Sequence, residues 1–412
     1  MKVFRSALQS IRQNRLRSVL AGFGIAWGIF LLVVFLGVGG GFKDGVMGLF
    51  SAYAQKSLFV YAGQASVAGK KMSEETRILF DERIVDDVRQ RYGSVVSCSP
   101  EMTSPSVAIS FAGETTTAPV RGVSADYFNI RILEVGAGRS INHFDDLEAR
   151  NVVIIGEGIR QALFGKQEAI GRRIDMEGSL YDVVGILSAE SLLSMQERNS
   201  VYVPASSFTK NFDSAGKIAS FCLSLAPGAN TTAVEKDLRA YLAYRYGFDA
   251  HDEQAVYIAN IETQTAAFES LFHGLEVLIW IVGICLLLSG IVGVCNVMLI
   301  IVKERTGEIG IRKAVGATST SIISMIMAES VTITFLAGGV GIASGGLGML
   351  LADKVILPLL HTEIMNSVRI NIPAAAAAFV ILCLSSVAAG LFPALKASQI
   401  APVDAIRYEN RE

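Results

Sequence analysis

Four long apolar runs decide what this chain can become. Val19 to Phe42, Val277 to Val302 and Ile372 to Leu395 carry no charged side chain, and Ile322 to Ala352 carries one, Glu329. An apolar helix rises about 1.5 Å per residue and crosses a hydrocarbon core of about 30 Å in roughly 20 residues, so each run is long enough to span a membrane. With 51% hydrophobic and 18% charged residues, the whole sequence agrees with a membrane protein. The first run follows a basic leader and precedes an A-x-A pattern in "SAYAQ". It is much longer than a signal-peptide core of roughly 7 to 15 residues, and a retained anchor is expected.

Lysine and arginine in short flanks set orientation. Five lie in residues 1–18 (Lys2, Arg5, Arg12, Arg15, Arg17), four in 303–320 and three in 396–412, against two in 353–371. Both termini and the 303–320 loop are therefore expected in the cytoplasm. Residues 43–276 are then expected outside, with 353–371 as a short external loop, and transmembrane helices at 19–42, 277–302, 321–352 and 372–395. Phe4, Ala7, Leu8 and Ile11 recur at helical spacing, with Arg5, Gln9 and Arg12 off that face. This predicts an interfacial amphipathic helix over 1–18 that contacts membrane lipids. A carboxylate in lipid is costly, so Glu329 either faces protein or water or lies at the membrane interface, the placement favoured by the nearby polar end Thr318 to Ser321. The pairs Gly24/Gly28, Gly37/Gly41 and Gly341/Gly345 have helix-packing spacing and suggest close helix association, between copies of the chain among other options.

Residues 43–276 hold 22 basic and 30 acidic residues, with no basic run interleaved with aromatics, which argues against a nucleic-acid partner. "VVIIGEGI" reads as a strand leading into a helix that ends at "LFGKQ". "GRRIDMEGSLYDVVGIL" reads as a hairpin turning at Glu177-Gly178. "TAVEKDLRAYLAYRYG" reads as a helix with Val234, Leu238, Tyr241 and Leu242 on one side. The fold class expected is an integral α-helical membrane protein with four spans and a large extracytoplasmic α+β domain of two lobes.

Chemistry-bearing motifs are sparse. His143, His251, His273 and His361 and the five cysteines lack metal-ligand spacing, so no metal or cofactor is expected. A Cys98–Cys222 bridge is left open. Asp86-Asp87 and Asp145-Asp146 read as solvated faces or caps. No G-x-x-x-x-G-K-[ST], H-E-x-x-H or G-x-S-x-G occurs in these 412 residues, and no catalytic residue is assigned.

The segment "KERTGEIGIRKAVGAT", Lys303 to Thr318, has Glu308 and Arg312 at the favourable i, i+4 order and three glycines that thin its surface. It suits either docking into another protein's groove or a simple solvated turn. It closely resembles the cytoplasmic signature of the MacB and FtsX-like permeases of ABC transporters. The leader "SALQSIRQNRLRSVLAGFGIAWGI" and the tail "FPALKASQIAPVDAIRYE" resemble the same family, and "VRGVSADYFNIRILEVGAGRSI" through "VYVP" is similar to its periplasmic core domain. The resemblance implies a coupling helix docked on a cytoplasmic ATPase. It carries Glu304, Arg305, Gly307, Glu308, Ile309, Gly310, Arg312, Lys313 and Gly316 over as the coupling surface. It also implies a bacterial inner-membrane permease working as a homodimer or paralogous heterodimer, an outer lobe inserted at about 118–213, and ATP with Mg bound by a separate ATPase chain. Efflux through a periplasmic adaptor and outer-membrane channel is the expected role. Lipoprotein release, or mechanical control of a cell-wall hydrolase or sensor kinase, is the alternative.

Overall fold

The structure, a computed structural model, describes residues 15–67, 76–188, 195–212, 217–356 and 372–399. The amphipathic leader, the bulk of the 353–371 loop and the end of the C-terminal tail lie outside the described residues. The chain divides into two compact units, residues 1–45 with 270–412 and residues 46–269.

In the first unit all four apolar runs are helical: α1 (Arg15–Ser51), α9 (Ile261–Glu304), α11 (Ser319–Leu351) and α12 (Ile372–Ser398). Lipid offers no hydrogen-bond partner to a backbone, so a segment that must satisfy its amides internally becomes a helix. The helices run past the expected spans, because a helix does not end where hydropathy ends. α1 continues through Lys43 and Asp44, and α9 begins 16 residues before Val277. A short π-helical turn, Ala352–Ile356, follows α11.

The glycines bring these helices together inside one chain. Gly24 sits against Gly290, with 3.4 Å from the position a Cβ would take to the Gly290 Cα. A Cβ on Gly290 would lie 2.9 Å from the Ile25 amide nitrogen, and one on Gly341 would lie 2.5 Å from the Ala26 carbonyl oxygen. Gly345 faces Val33, and Gly338 faces Leu382. The glycine spacing thus serves close packing of α1 against α9 and α11, the tight helix association expected from the sequence. Apolar association contributes little in lipid, so close backbone approach supplies the van der Waals contact instead.

The second unit is built on a ten-stranded sheet of order β12-β1-β11-β3-β4-β9-β6-β8-β5, with β7 off this path on β3 and β8. Its strands are β1 (Ser57–Ala62), β3 (Val95–Phe111), β4 (Glu114–Val123), β5 (Val135–Gly138), β6 (Val152–Ile155), β7 (Arg173–Met176), β8 (Ser179–Leu187), β9 (Val201–Pro204), β11 (Ser220–Leu225) and β12 (Val256–Asn260). A second sheet pairs β2 (Phe80–Asp81) with β10 (Lys217–Ile218). Helices α2 (Ile84–Arg91), α3 (Asp126–Ile130), α4 (His143–Leu147), α5 (Glu157–Phe164), α6 (Met195–Arg198), α7 (Ala205–Asn211) and α8 (Thr231–Tyr246) complete this α+β unit. Segment 118–213 supplies strands on the β4 side of the sheet, and the β3–β4 hairpin joins them to the rest.

Three readings of this unit are met closely. β6 leads into α5; β7 and β8 turn at Glu177 and Gly178, both with positive φ (51° and 88°), as a two-residue hairpin turn requires. α8 buries Leu238 and Leu242, packs Val234 and Tyr241 on the same core, and ends at Gly247 in the left-handed region.

Alternation along the strands loads both faces of the sheet. Leu58 and Val60, Leu223 and Phe221, Val201 and Val203 enter one core, while Phe59, Cys222 and Tyr202 enter the other. This decides the open question about Cys98 and Cys222. Their strands are neighbours, but Cys98 pairs with Leu223 and Cys222 with Ser99, so the two thiols point to opposite faces and both are free. Burial pushes the Cys98 thiol up to about 12 and the Cys222 thiol well above its ordinary value, which leaves both inert at neutral pH.

The second core also encloses an ionic network. Glu101 on β3 accepts from Arg121 on β4 (3.0 Å) and from the Tyr127 hydroxyl (2.9 Å). Glu197 of α6 accepts from Arg121, Arg131 and the Tyr202 hydroxyl. Burial works against the Arg131 cation, but the oxygens of Tyr127 and Glu197 more than offset it and its pKa moves up. The Asp pairs are structural. Asp145 completes a capping box with Asn142 and binds Arg139 through both oxygens, Asp146 accepts from Ser206, and Asp87 pairs with Arg245.

Two predictions follow from this packing. Gly341→Leu should lower the detergent-solubilised melting temperature, at a cost of about 1–3 kcal/mol for overpacking, whereas Gly339→Leu, with no atom near its Cβ position, should leave it unchanged. Burial raises the Asp145 carboxyl, but the Arg139 hydrogen bond and the Asn142 amide outweigh it and hold the pKa below the ordinary value. That stabilisation is present above the unfolded carboxylate range near about 4 and fades as pH falls through the depressed folded value. Thermal unfolding of Asp145→Asn followed from pH 7 to pH 3 should therefore show a smaller acid-dependent loss than the parent protein.

Candidate functional site

The charged loop between α9 and α11 folds as a helix, α10 (Thr306–Ala314). α9 stops at Glu304, and Arg305 breaks the run with φ −96° and ψ 13°. Beyond the end of α10, Gly316, with a φ of 103°, lets the chain turn toward Thr318; Thr318 caps α11 by accepting from the Ser321 amide.

α10 has two unlike sides. Ile309 and Gly310 are buried, and Ile309 joins the core formed by Ile301, Val302, Ile322, Ile326, Ala394 and Ala397. The other side exposes Ile311 (53%) and Val315 (84%), two apolar side chains one turn apart. Glu308 and Arg312 flank them as an exposed i, i+4 pair, with Arg312 Nη2 donating to Glu308 Oε1 at 2.6 Å. Such a pair in water contributes only about 0.3–0.5 kcal/mol to the helix. Its greater effect is to fix two opposite charges beside an apolar ridge.

The nine positions carried over from the sequence divide accordingly. Glu304, Glu308, Arg312 and Gly316 are exposed, with Gly307 and Lys313 partly so. Ile309 and Gly310 face inward, and Lys313 Nζ donates to the Ser398 carbonyl at the end of α12. Arg305 also turns inward, its Nη1 3.3 Å from Glu329 Oε2. Glu329 is 4% exposed and faces protein, as one of its two expected placements has it. Ile311 and Val315 were not singled out in the sequence. Their i, i+4 spacing was the available signal, masked by Ile309 and Ala314, which give the segment apolar residues on more than one side.

Among the described residues, no group of three or more His, Cys, Asp or Glu side chains could hold a metal ion. His143, His251 and His273 are exposed, and His361 lies outside the described residues. A cavity of about 280 Å³ beside Gly39, Gly40 and Lys43 of α1 and Phe272 and Glu276 of α9 is at the lower limit for a small-ligand site, roughly 300 Å³.

Residues 18–241 match the MacB-like periplasmic core domain, and residues 280–402 match the FtsX-like permease C-terminal domain. The chain belongs to the MacB/FtsX-like family of ABC transporter permeases. It is 26% identical over 412 residues to the macrolide export ATP-binding/permease protein MacB of Neisseria gonorrhoeae, covering 99% of this chain and 61% of that protein. It is also 26% identical over 408 residues to the uncharacterized ABC transporter permease YknZ of Bacillus subtilis, covering 98% of each. The chain thus spans about three-fifths of the length of its MacB relatives. The solved periplasmic region of MacB from Actinobacillus actinomycetemcomitans is similar over 53% of this chain and 95% of that one, at 20% identity and a TM-score of 0.44. The extracellular domain of YknZ is similar over 50% of this chain and 100% of that one, at 17% identity and a TM-score of 0.42. Membership makes this chain an ABC-transporter-type permease, a membrane protein with an extracytoplasmic domain.

The two sides of α10 can be told apart chemically. With the native cysteines replaced, Val315→Cys should react with a bulky maleimide at the rate of a free thiol in detergent, whereas Ile309→Cys, at a position 1% exposed, should be slower by at least about tenfold until the protein is unfolded.

Proposed function

We propose that this chain is the transmission subunit of a MacB-type exporter in a bacterial inner membrane, with both termini and α10 in the cytoplasm and residues 46–269 in the periplasm. Its work is mechanical. An ATPase on a separate chain binds ATP and Mg, closes, and displaces α10, and the four helices deliver that movement to the extracytoplasmic unit, which acts on cargo with an adaptor and an outer-membrane channel. Pairing with an identical or paralogous copy is taken from the organisation of the family, since the glycine contacts are used within the chain.

The observation that carries this reading is the outer face of α10. Ile311 and Val315 are exposed where a solvated turn needs no apolar residue, and the Glu308–Arg312 pair frames them. An apolar ridge on a helix with charges at its rim suits insertion into a groove of another protein. A loop serving only membrane topology needs its positive charges but not this ridge. A relative matched over 98% of each chain, YknZ, is described as an ABC transporter permease, in keeping with a permease role.

Purification of the tagged chain from its native membrane should bring an ATP-binding subunit with it. Ile311→Asp with Val315→Asp should abolish that co-purification, since burying an unpaired carboxylate costs several kcal/mol. Glu308→Arg with Arg312→Glu keeps the helix pair and reverses its sense, and should weaken association by about tenfold. Full retention of the ATPase by both double variants would remove α10 as the docking surface, and recovery of a lipoprotein carrier or a wall hydrolase in place of an adaptor would reassign the cargo.

A further inference from the structure

Arg305 belongs by sequence to the docking segment, yet its side chain leaves that surface. It reaches Glu329 in the third turn of α11, and the carboxylate there is 4% exposed while Arg305 is about one quarter exposed. At its other end α10 is held by Lys313, whose ammonium donates to the Ser398 carbonyl at the C-terminus of α12, where the helix dipole favours a cation. Between these two points Ile309 packs into the helical core. Arg312 adds a contact from its Nη1 to the Met325 sulfur of α11 at 3.2 Å.

A single residue outside regular helix, Arg305, separates α9 from α10, its amide donating to the Ile301 carbonyl and its carbonyl accepting from the Ile309 amide, and any pivot between the two helices would fall there. A pivot alone would let a push on α10 dissipate as rotation. The ion pair prevents this, because its acceptor is on α11, 24 residues further along the chain. A buried ion pair is weak evidence for stability, since an apolar pair of similar volume often does as well. What the pair adds is direction: the cation and carboxylate lose their attraction when either moves away, so displacement at the start of α10 is felt by α11. The two partners differ in exposure: the Glu329 side chain is almost fully buried, whereas Arg305 keeps partial contact with water.

We propose that Arg305 and Glu329 form the joint that hands movement of α10 to α11, and that both are positioning residues lying behind the docking face rather than in it. This rests on the assignment of α10 as the coupling helix, and the two can fail separately. One arm of the test needs no ATPase. Spin labels at Val315→Cys and Leu336→Cys, both exposed, report the α10–α11 distance in the full-length chain with its native cysteines replaced. Glu329→Gln should broaden that distance distribution, and Arg305→Glu with Glu329→Arg should narrow it again. The second arm uses the ATPase that co-purifies with the parent protein. Glu329→Gln should bind it within about twofold of the parent yet lose about tenfold of the stimulation of ATP hydrolysis, with recovery in the charge-swapped protein.

An unchanged distance distribution in Glu329→Gln would overturn the joint. So would loss of ATPase binding, which would place the pair in the docking face, or a parallel fall in melting temperature, binding and stimulation that the swap does not restore, which would make the pair structural. If the parent protein recruits no ATPase, the coupling assignment fails while the distance measurement still decides whether the pair fixes α10 to α11.

Discussion

The absence of water from the bilayer core governs this molecule. A backbone that finds no solvent partner must bond to itself, which makes each of the four apolar runs a helix, and lipid then offers those helices little reason to associate. Contact has to come from shape. Gly290 and Gly341 admit the α1 backbone to distances that a side chain would forbid, and Gly24 meets Gly290 with nothing between them. The same restriction explains Glu329. Its charge could not remain in the helical core unpaired, and the loop that follows α9 supplies Arg305.

In the extracytoplasmic unit the organising constraint is the two-residue period of a strand. Both faces of the sheet are covered, so successive residues enter different cores, and one position of register separates Cys98 from Cys222 as completely as distance would. The second core holds charge as well as apolar groups. Glu101, Arg121, Arg131 and Glu197 come from β3, β4, the segment after α3, and α6, and Tyr127 and Tyr202 donate to the two carboxylates. These groups are spread over almost a hundred residues of sequence, and their cost of burial is met only when the sheet order is correct. The network therefore favours this arrangement over others that would bury the same apolar residues.

What could be read in advance was local. The spans were visible because twenty uncharged residues have few other uses, and the turn at Glu177-Gly178 because its conformation favours glycine at the second position. The helix ends were not, since α1 continues through Lys43 and Asp44 after the uncharged run has stopped. Sheet order was not legible either. β4 lies beside β9 in parallel, while β5 to β8, which come between them in sequence, take other places in the same sheet, and no spacing in the sequence encodes that. In α10, charge and glycine marked the segment, while the division between inner and outer sides awaited the position of α12, against which Ile309 packs.

That division matters for how the helix can work. A docking peptide that was merely exposed would bind and yield, spending the partner's movement on its own bending. α10 instead presents Ile311 and Val315 outward while Ile309, Arg305 and Lys313 hold it from behind to the core, to α11 and to α12. Binding and restraint use largely different residues of this helix and its two caps, with Arg312 touching both. They can therefore vary separately: a change on the outer ridge alters which partner is accepted, and a change behind it alters how much of the partner's movement is received. A short helix with both properties is suited to carrying force, because the surface that is pushed and the contacts that resist are less than one helical diameter, about 10–12 Å, apart.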